Sequence, residues 1–265
     1  MPRLIFVLLD GLRLDVAGAA MGYVQAQAEA AGVRCLPVAS ELPSLSRPLY
    51  ETLMTGMPPV RSAITGNGVV RRSRHPSVFD NCRQAGRVTA AAAYHWFSEL
   101  YNRAPFEPAH RLTHDPAAAI QHGIFYWRDC YPDDHLFADA EALRVQHDPD
   151  FLLVHSMGID DAGHRHGGSS AEYRTAARRA DALLALHLPA WLASGYAVIV
   201  TSDHGMGDDG THGGPGPDET MVPFWLFGAA RTPEEIVLRQ TEIAGTACAL
   251  MAVPHQGMAV REALL

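Results

Sequence analysis

The sequence predicts a doubly wound α/β domain with a mostly parallel central sheet, and two patterns carry that prediction. Short apolar runs bounded by polar or turn residues recur at 4–9, 151–154, 197–201 and 222–227, with 87–93 as a fifth. Continuous runs of this length suit strands buried on both faces, as in a parallel sheet. Helical patterns lie between them, and strands that alternate with helices build a sheet covered on both sides.

Taken in order, 4–9 is a strand that stops at Asp10, and 24–31 is a helix. Pro48 in "PSLSRPLYETLMTG" fits the first turn of a short helix and puts Ser46 at its N-terminus. Residues 95–133, rich in aromatics, His and Pro, form the least regular stretch and are expected to be a cap over a site. A helix over 136–145 leads to the strand 151–154, followed by Asp160, Asp161 and His164. The helix 171–192 should end or kink at Pro189. The strand 197–201 runs into Asp203 and His204, and His212 follows across a loop of glycine and aspartate. After the strand 222–227, Thr232-Pro-Glu-Glu opens a helix expected to reach 251. The 265 residues read as one domain, 1–265, with the cap as an insertion.

Composition excludes several functions. The chain has no lysine, so a lysine-dependent phosphate loop and Schiff-base chemistry are ruled out. A net charge of −8 argues against a nucleic-acid backbone as partner. Cys35, Cys82, Cys130 and Cys248 are scattered without a CxxC pair, so they are expected to be buried or partly buried free thiols. The apolar run 4–9 is too short for a signal peptide, and no stretch reaches the roughly 20 apolar residues of a membrane helix. A cytoplasmic protein with no membrane partner is expected; the oligomeric state is not legible.

In open parallel sheets ligands collect at the carboxyl ends of the strands. Asp10, Asp160, His164, Asp203, His204 and His212 gather there. Carboxylates and imidazoles without a thiolate suit Zn²⁺ and also accept Mn²⁺. Six such groups exceed the needs of one tetrahedral ion, and two ions sharing them suit phosphoryl chemistry. "SLSRP" offers two hydroxyls, Ser44 and Ser46; each reads equally as a helix cap or as a nucleophile activated at a helix N-terminus.

The order Asp10, Ser46-x-Pro48 with Thr55-Gly56, "DDAGH" at 160–164 and "SDHGM" at 202–206 resembles the alkaline phosphatase superfamily. Within it, the type I phosphodiesterase/nucleotide pyrophosphatase branch is the nearest likeness. That branch carries an asparagine 21 residues after its nucleophile, the place that Asn67 holds relative to Ser46. The resemblance implies an alkaline phosphatase-like fold with one divalent ion on Asp10, Asp203 and His204, toward which Ser46 bridges, and a second on Asp160, His164 and His212. Asp161 is then a neighbour and not a ligand. It implies a nucleophilic Ser46, an Asn67 amide that holds a phosphoryl oxygen, and a small phosphate ester or nucleotide as substrate. Serine is usual in alkaline phosphatases proper, whereas the diesterase branch usually has threonine. The short interval between His204 and His212 is more similar to the ethanolamine-phosphate transferases of glycolipid-anchor synthesis. A sulfatase is not expected, because the C/S-x-P-x-R motif is absent.

The activity expected is that of a dimetal phosphodiesterase or nucleotide pyrophosphatase acting through a phosphoseryl intermediate. The alternatives are a phosphomonoesterase or phosphonate hydrolase using the same site, or a non-catalytic phosphate-binding protein. Arg47 would favour the monoesterase if it clamps a dianion, and it reads equally as a solvent-facing side chain. His155 reads as structural, and His166 as a loop residue or a substrate contact. Trp96, Phe97, Tyr126 and Trp127 can stack on a nucleobase or form the cap's own core.

Overall fold

The computed structural model describes residues 1–229 and 236–265. Strand β1 (Arg3–Leu9) runs through the middle of a single sheet. The other strands are β2 (Leu36–Ala39), β3 (Thr89–Tyr94), β4 (Leu112–His114), β5 (His122–Tyr126), β6 (Phe151–Ser156), β7 (Tyr196–Thr201), β8 (Met221–Phe227) and β9 (Leu238–Arg239). Their order is β4-β5-β3-β6-β1-β7-β8-β2-β9 among the described residues. From β5 to β7 every neighbouring pair is parallel, while β4, β8 and the β2–β8 pairing are antiparallel.

The continuous apolar runs are continuous because both faces of the sheet are covered. In β1, Leu4, Phe6 and Leu8 enter one core, and Ile5, Val7 and Leu9 enter the other. Strand β6 divides in the same way, with Phe151 and Leu153 on one side and Leu152 and Val154 on the other. Helices Leu14–Ala20, Gly22–Ala31, Asp133–His147 and Ala171–Ala193 bury residues in the second core. Helices Ser46–Thr55, Val78–Gln84, His95–Tyr101 and Ile243–Leu250 bury residues in the first.

Several expectations need revision. The helix Ala171–Ala193 passes through Pro189 instead of ending there. Leu188 and Trp191 are fully buried on either side of the proline, and Trp191 Nε1 donates to Glu141 at 3.1 Å, so tertiary packing outweighs the lost backbone bond. The helix expected over 232–251 is helical only over Ile243–Leu250; its proposed start at 232–235 lies outside the described residues, and β9 precedes the helical part. The run 87–93 begins its strand at Thr89, because Arg87 turns its guanidinium to Asp150 at 3.0 Å. The segment 95–133 contributes a helix, His95–Tyr101, and then strands β4 and β5, which extend the sheet. All four cysteines are free, but Cys130 is exposed. No helix among the described residues is long and apolar enough to cross a membrane.

Phe6 pairs in register with Leu153 on one side and Ile199 on the other, and all three are completely buried in the same core. Phe6→Ala should therefore cost about 3–5 kcal/mol, and Leu186→Ala, at a side chain 73% exposed, below about 0.5 kcal/mol. Urea denaturation compares the two. Equal losses would contradict the placement of the core.

Candidate active site

The carboxyl ends of β1, β6 and β7 lie on one edge of the sheet because the three strands are parallel neighbours. Asp10 follows β1 directly, and Asp203 and His204 follow β7 after Ser202. Asp160 and His164 sit one turn apart on the helix Gly158–His166 that follows β6. Asp10, Asp203 and His204 are wholly buried, and Asp160 is nearly so. Gly11 has φ +71°, and a Cβ there would meet Asp160 Oδ1 at 2.9 Å and its backbone at 3.0 Å. The turn after β1 therefore requires glycine if Asp10 and Asp160 are to approach. At Gly205 a Cβ would meet the Asp218 carbonyl oxygen at 2.0 Å, so the chain after His204 is equally committed.

Each carboxylate has one oxygen held and one left over. Asp10 Oδ2 accepts from the Tyr50 hydroxyl and lies 3.1 Å from His155 Nε2, while Oδ1 has no hydrogen-bond partner. Asp203 Oδ1 accepts from the Gly11 N–H at 3.3 Å, while Oδ2 has none. Asp160 Oδ2 lies 3.4 Å from His164 Nε2, and Oδ1 is likewise without a partner. Buried acceptors are normally satisfied, so three unsatisfied carboxylate oxygens in one place mark a site for something cationic.

The imidazoles are oriented to suit. His164 Nδ1 donates to the Gly210 carbonyl, His204 Nδ1 to that of Gly205 and His212 Nδ1 to that of Ser44, each at 2.8 Å. A carbonyl only accepts, so in each ring Nδ1 carries the proton and Nε2 keeps a lone pair when the ring is neutral. His204 Nε2 lies 3.2 Å from Asp203 Oδ2, 3.4 Å from Asp10 Oδ1 and 3.0 Å from Ser46 Oγ. His212 Nε2 lies 3.7 Å from Asp160 Oδ1 and 3.2 Å from His164 Nε2. Asp10, Asp203 and His204 offer ligand atoms close enough for one ion, and Asp160, His204 and His212 do the same. His164, nearly half exposed, closes the outer side of the second group. The tethering of Nδ1 to backbone oxygens is how metal-binding histidines fix their tautomer.

The electrostatics agree. Burial lifts Asp10 well above the usual carboxylate range, and the charges of Asp203 and Asp160 push the same way. Burial also raises Asp203, with His204 opposing and Asp160 reinforcing. Burial works to raise Asp160, but the hydrogen bond from His164 and the surrounding imidazoles bring it below the usual range. Through its hydrogen bond to Asp160, His164 is pushed up to about 9, while burial pulls His212 down to about 4. Carboxylates crowded in this way are relieved by a cation among them.

Ser46 is the first residue of the helix Ser46–Thr55, and Leu45 before it makes no side-chain cap. Ser44 serves the neighbouring loop instead. Its hydroxyl donates to the Gly214 carbonyl and accepts from the Gly213 N–H, which fixes the segment that carries His212. The two hydroxyls left open in the sequence are thus distinguished by position. Asn67 Oδ1 accepts from the Arg47 N–H at 3.1 Å, which brings the amide to the same helix N-terminus. Arg47 does not face solvent. It is 1% exposed, pairs with Glu99 at 2.6 Å and stacks over Trp96 at 4.5 Å. Phe97 and Tyr126 are buried in the two cores, while Trp127 is exposed. Asp161 pairs with Arg165 at 2.9 Å, and His166 is exposed.

Sequence reasoning misses one residue here and undervalues another. Tyr50 belongs to no motif, although it stands four residues after Ser46 on the same helix, a spacing that aligns side chains on one face. His155, which reads as structural, is wholly buried with Nδ1 accepting from the Tyr94 N–H at 3.3 Å. Its Nε2 must then carry the proton and donate to Asp10. Burial pulls its pKa down to about 3, which keeps the ring neutral in this role.

The family model for type I phosphodiesterase / nucleotide pyrophosphatase matches residues 4–211. GPI ethanolamine phosphate transferase 1 of Mus musculus is 34% identical over 103 residues, covering 37% of this chain and 11% of the relative. The catalytic subunit of GPI ethanolamine phosphate transferase 2 of Homo sapiens is 22% identical over 271 residues, covering 95% of this chain and 26% of the relative. The chain thus spans about a quarter or less of these relatives. Among solved structures, murine ectonucleotide pyrophosphatase / phosphodiesterase 5, an inactive form in complex with AMP, superimposes with a TM-score of 0.78 at 12% identity, covering 98% of both chains. A phosphonate monoester hydrolase from Silicibacter pomeroyi gives 0.68 at 13% identity, covering all of this chain and 76% of that one. These likenesses agree on an alkaline phosphatase-like fold, and the family is one of metal-dependent phosphoester hydrolases and transferases. With the family model matched over most of its length, the chain belongs to the type I phosphodiesterase / nucleotide pyrophosphatase family.

Proposed function

We propose that the chain is a dimetal phosphodiesterase that uses Ser46 as nucleophile and passes through a phosphoseryl intermediate. The observation that carries this reading is the set of three unsatisfied buried carboxylate oxygens facing three tethered imidazoles, with Ser46 Oγ 3.0 Å from one of them. Asp10, Asp203 and His204 would hold one divalent ion, and Asp160, His164 and His212 the other. Zn²⁺ suits this oxygen and nitrogen set, and Mn²⁺ is acceptable. Bound there, the ions would supply Lewis-acid activation of the serine oxygen and neutralise charge on the leaving oxygen.

The chain's own residues do the rest. The helix N-terminus at Ser46 presents the Ser46 N–H and the positive end of its dipole to a phosphoryl group, the Arg47 N–H being taken by Asn67 and Pro48 having none. Asn67, with its carbonyl oxygen spent on the Arg47 N–H at the start of this helix, would use its amide N–H₂ to stabilise a non-bridging oxygen. The Ser46 oxygen attacks phosphorus and the alcohol or phosphate opposite departs; water then breaks the serine–phosphorus bond and regenerates the hydroxyl.

Arg47 favours a diester over a monoester. A dianionic monoester calls for an uncompensated positive charge beside the nucleophile, and the charge of the guanidinium next to Ser46 is offset by Glu99, which takes Nη2 under the Trp96 ring and leaves Nε and Nη1 without a partner. The chain's similarity to the ethanolamine phosphate transferases supports a substrate with two ester links at phosphorus, as does its fold likeness to the ectonucleotide enzyme.

Three outcomes test the reading. Ser46→Ala should retain its divalent metal content and lose turnover by about 10³-fold or more; activity within tenfold of the parent would show that water attacks directly. With zinc- or manganese-loaded protein, kcat/KM on bis-p-nitrophenyl phosphate should exceed that on p-nitrophenyl phosphate by about tenfold or more, and a monoester preference would reverse the argument from Arg47. Tyr50→Phe, which removes a hydrogen bond to Asp10 without touching a ligand, should weaken metal binding by about 10- to 100-fold in a chelator competition. Unchanged affinity would mean that Asp10 needs no such support.

A further inference from the structure

The edge of the sheet opposite the Ser46 site carries a second gathering of imidazoles. His114 ends the edge strand β4, and His122 opens β5 as its register partner. His147 ends the helix Asp133–His147. Because β5 runs parallel to β3, and β3 to β6, the start of β5 lies at the amino edge of the sheet, away from Asp10. His114 Nδ1 and His122 Nδ1 are 2.8 Å apart. The rings of His122 and His147 lie 3.8 Å apart and nearly parallel, and those of His114 and His147 5.4 Å apart. One ring nitrogen from each of the three falls within 4.8 Å of the other two.

We infer that His114, His122 and His147 form a further divalent-metal site, separate from the Ser46 site, that takes a transition-metal ion such as Zn²⁺, Ni²⁺ or Cu²⁺. An all-imidazole donor set is neutral and borderline-soft, so it selects these ions over Mg²⁺ or Ca²⁺. Tetrahedral zinc with Zn–N bonds of about 2.1 Å places its ligand atoms about 3.4 Å apart. No pair of these nitrogens needs to close by more than about 1.4 Å, and the His114–His122 pair needs to open by about 0.6 Å, which rotation about side-chain bonds provides. Three protein ligands leave the fourth position to water, since the cluster lies at the surface.

The site has a structural purpose. Strand β4 is three residues long and, among the described residues, pairs with β5 alone. An ion held by all three histidines would tie that strand and the start of β5 to the helix end, joining pieces of chain far apart in sequence. Binding of this kind stabilises the folded edge by mass action.

The test is the metal content of protein that has been stripped with chelator, loaded with Zn²⁺ and desalted. His122→Ala and, separately, His147→Gln should each hold one zinc ion fewer per chain than the parent. Their kcat/KM on bis-p-nitrophenyl phosphate should be unchanged. With Cu²⁺, the parent should show, in addition to any couplings from the histidines of the Ser46 site, a set of imidazole nitrogen couplings in its electron paramagnetic resonance spectrum that both variants lose. Equal zinc content in the parent and both variants overturns the inference, as does a loss of more than one ion, which would show a general effect on folding. If His122→Ala does not fold, His147→Gln at the helix end carries the test. Because the reading is a difference of one ion, it stands apart from the number that the Ser46 site holds.

Discussion

Three carboxylates forced together at one sheet edge are the constraint on which the structure around the site depends. Asp10, Asp160 and Asp203 follow three adjacent parallel strands, and their approach is set by strand spacing rather than by attraction. Each lies in a place that water does not reach and has one unsatisfied oxygen turned toward the others. In a folded protein such an arrangement is costly unless charge is balanced, because burial and mutual repulsion act in the same direction. The surrounding design reads as a response to that cost. Gly11 permits the closest approach, the three histidines turn Nε2 toward the carboxylates, and the backbone carbonyls of Ser44, Gly205 and Gly210 fix which nitrogen faces inward.

The same logic extends one layer out. Asp10 is held by Tyr50 and His155, and His155 is held in turn by the Tyr94 N–H at the end of β3. Tyr50 belongs to the helix that begins with Ser46, so one element positions both the proposed nucleophile and the clamp on Asp10. Tyr50 also stacks on Phe97 at 4.5 Å and contacts the His155 ring at 4.8 Å. The first residues after β3 thereby support the site without contributing a ligand. Precision in such a site comes from packed rings and hydrogen bonds in rigid elements, not from the ligands themselves.

What is legible in the sequence follows from this geometry. Strands β1, β6 and β7 are apolar on both faces, so their runs are unbroken and easily read, and the charged residues that end them stand out. The proposed nucleophile is legible because Pro48 marks a helix start and the resemblance points to Ser46; the folded loop adds a separate task for Ser44, whose oxygens tie down residues 212–214. Strands β4 and β5 are not legible. Strand β4 is short, exposed and alternating in burial, and His, Gly and Tyr in β5 carry no continuous apolar signal. The helix does not end at Pro189 because Trp191, through its burial and its bond to Glu141, holds the last turn in place, a contact the local rule takes no account of. Tyr50 and His155 escape notice because their importance is a contact with Asp10, 40 and 145 residues away in sequence.

Charge counting connects the outer layer to substrate choice. On the dimetal reading, two divalent ions bring four positive charges against the three carboxylates Asp10, Asp160 and Asp203, which leaves one in excess. A phosphodiester carries one negative charge and a phosphomonoester up to two, so the excess matches the diester. Arg47 is the nearest means of changing that balance, and the chain cancels it. Glu99 takes its charge at 2.6 Å, Trp96 covers its face, and the pair is buried from water. A buried ion pair contributes little to stability compared with apolar packing of the same volume. Its presence beside the proposed nucleophile is better understood as neutralisation: the buried guanidinium and Glu99 together add no net charge next to Ser46.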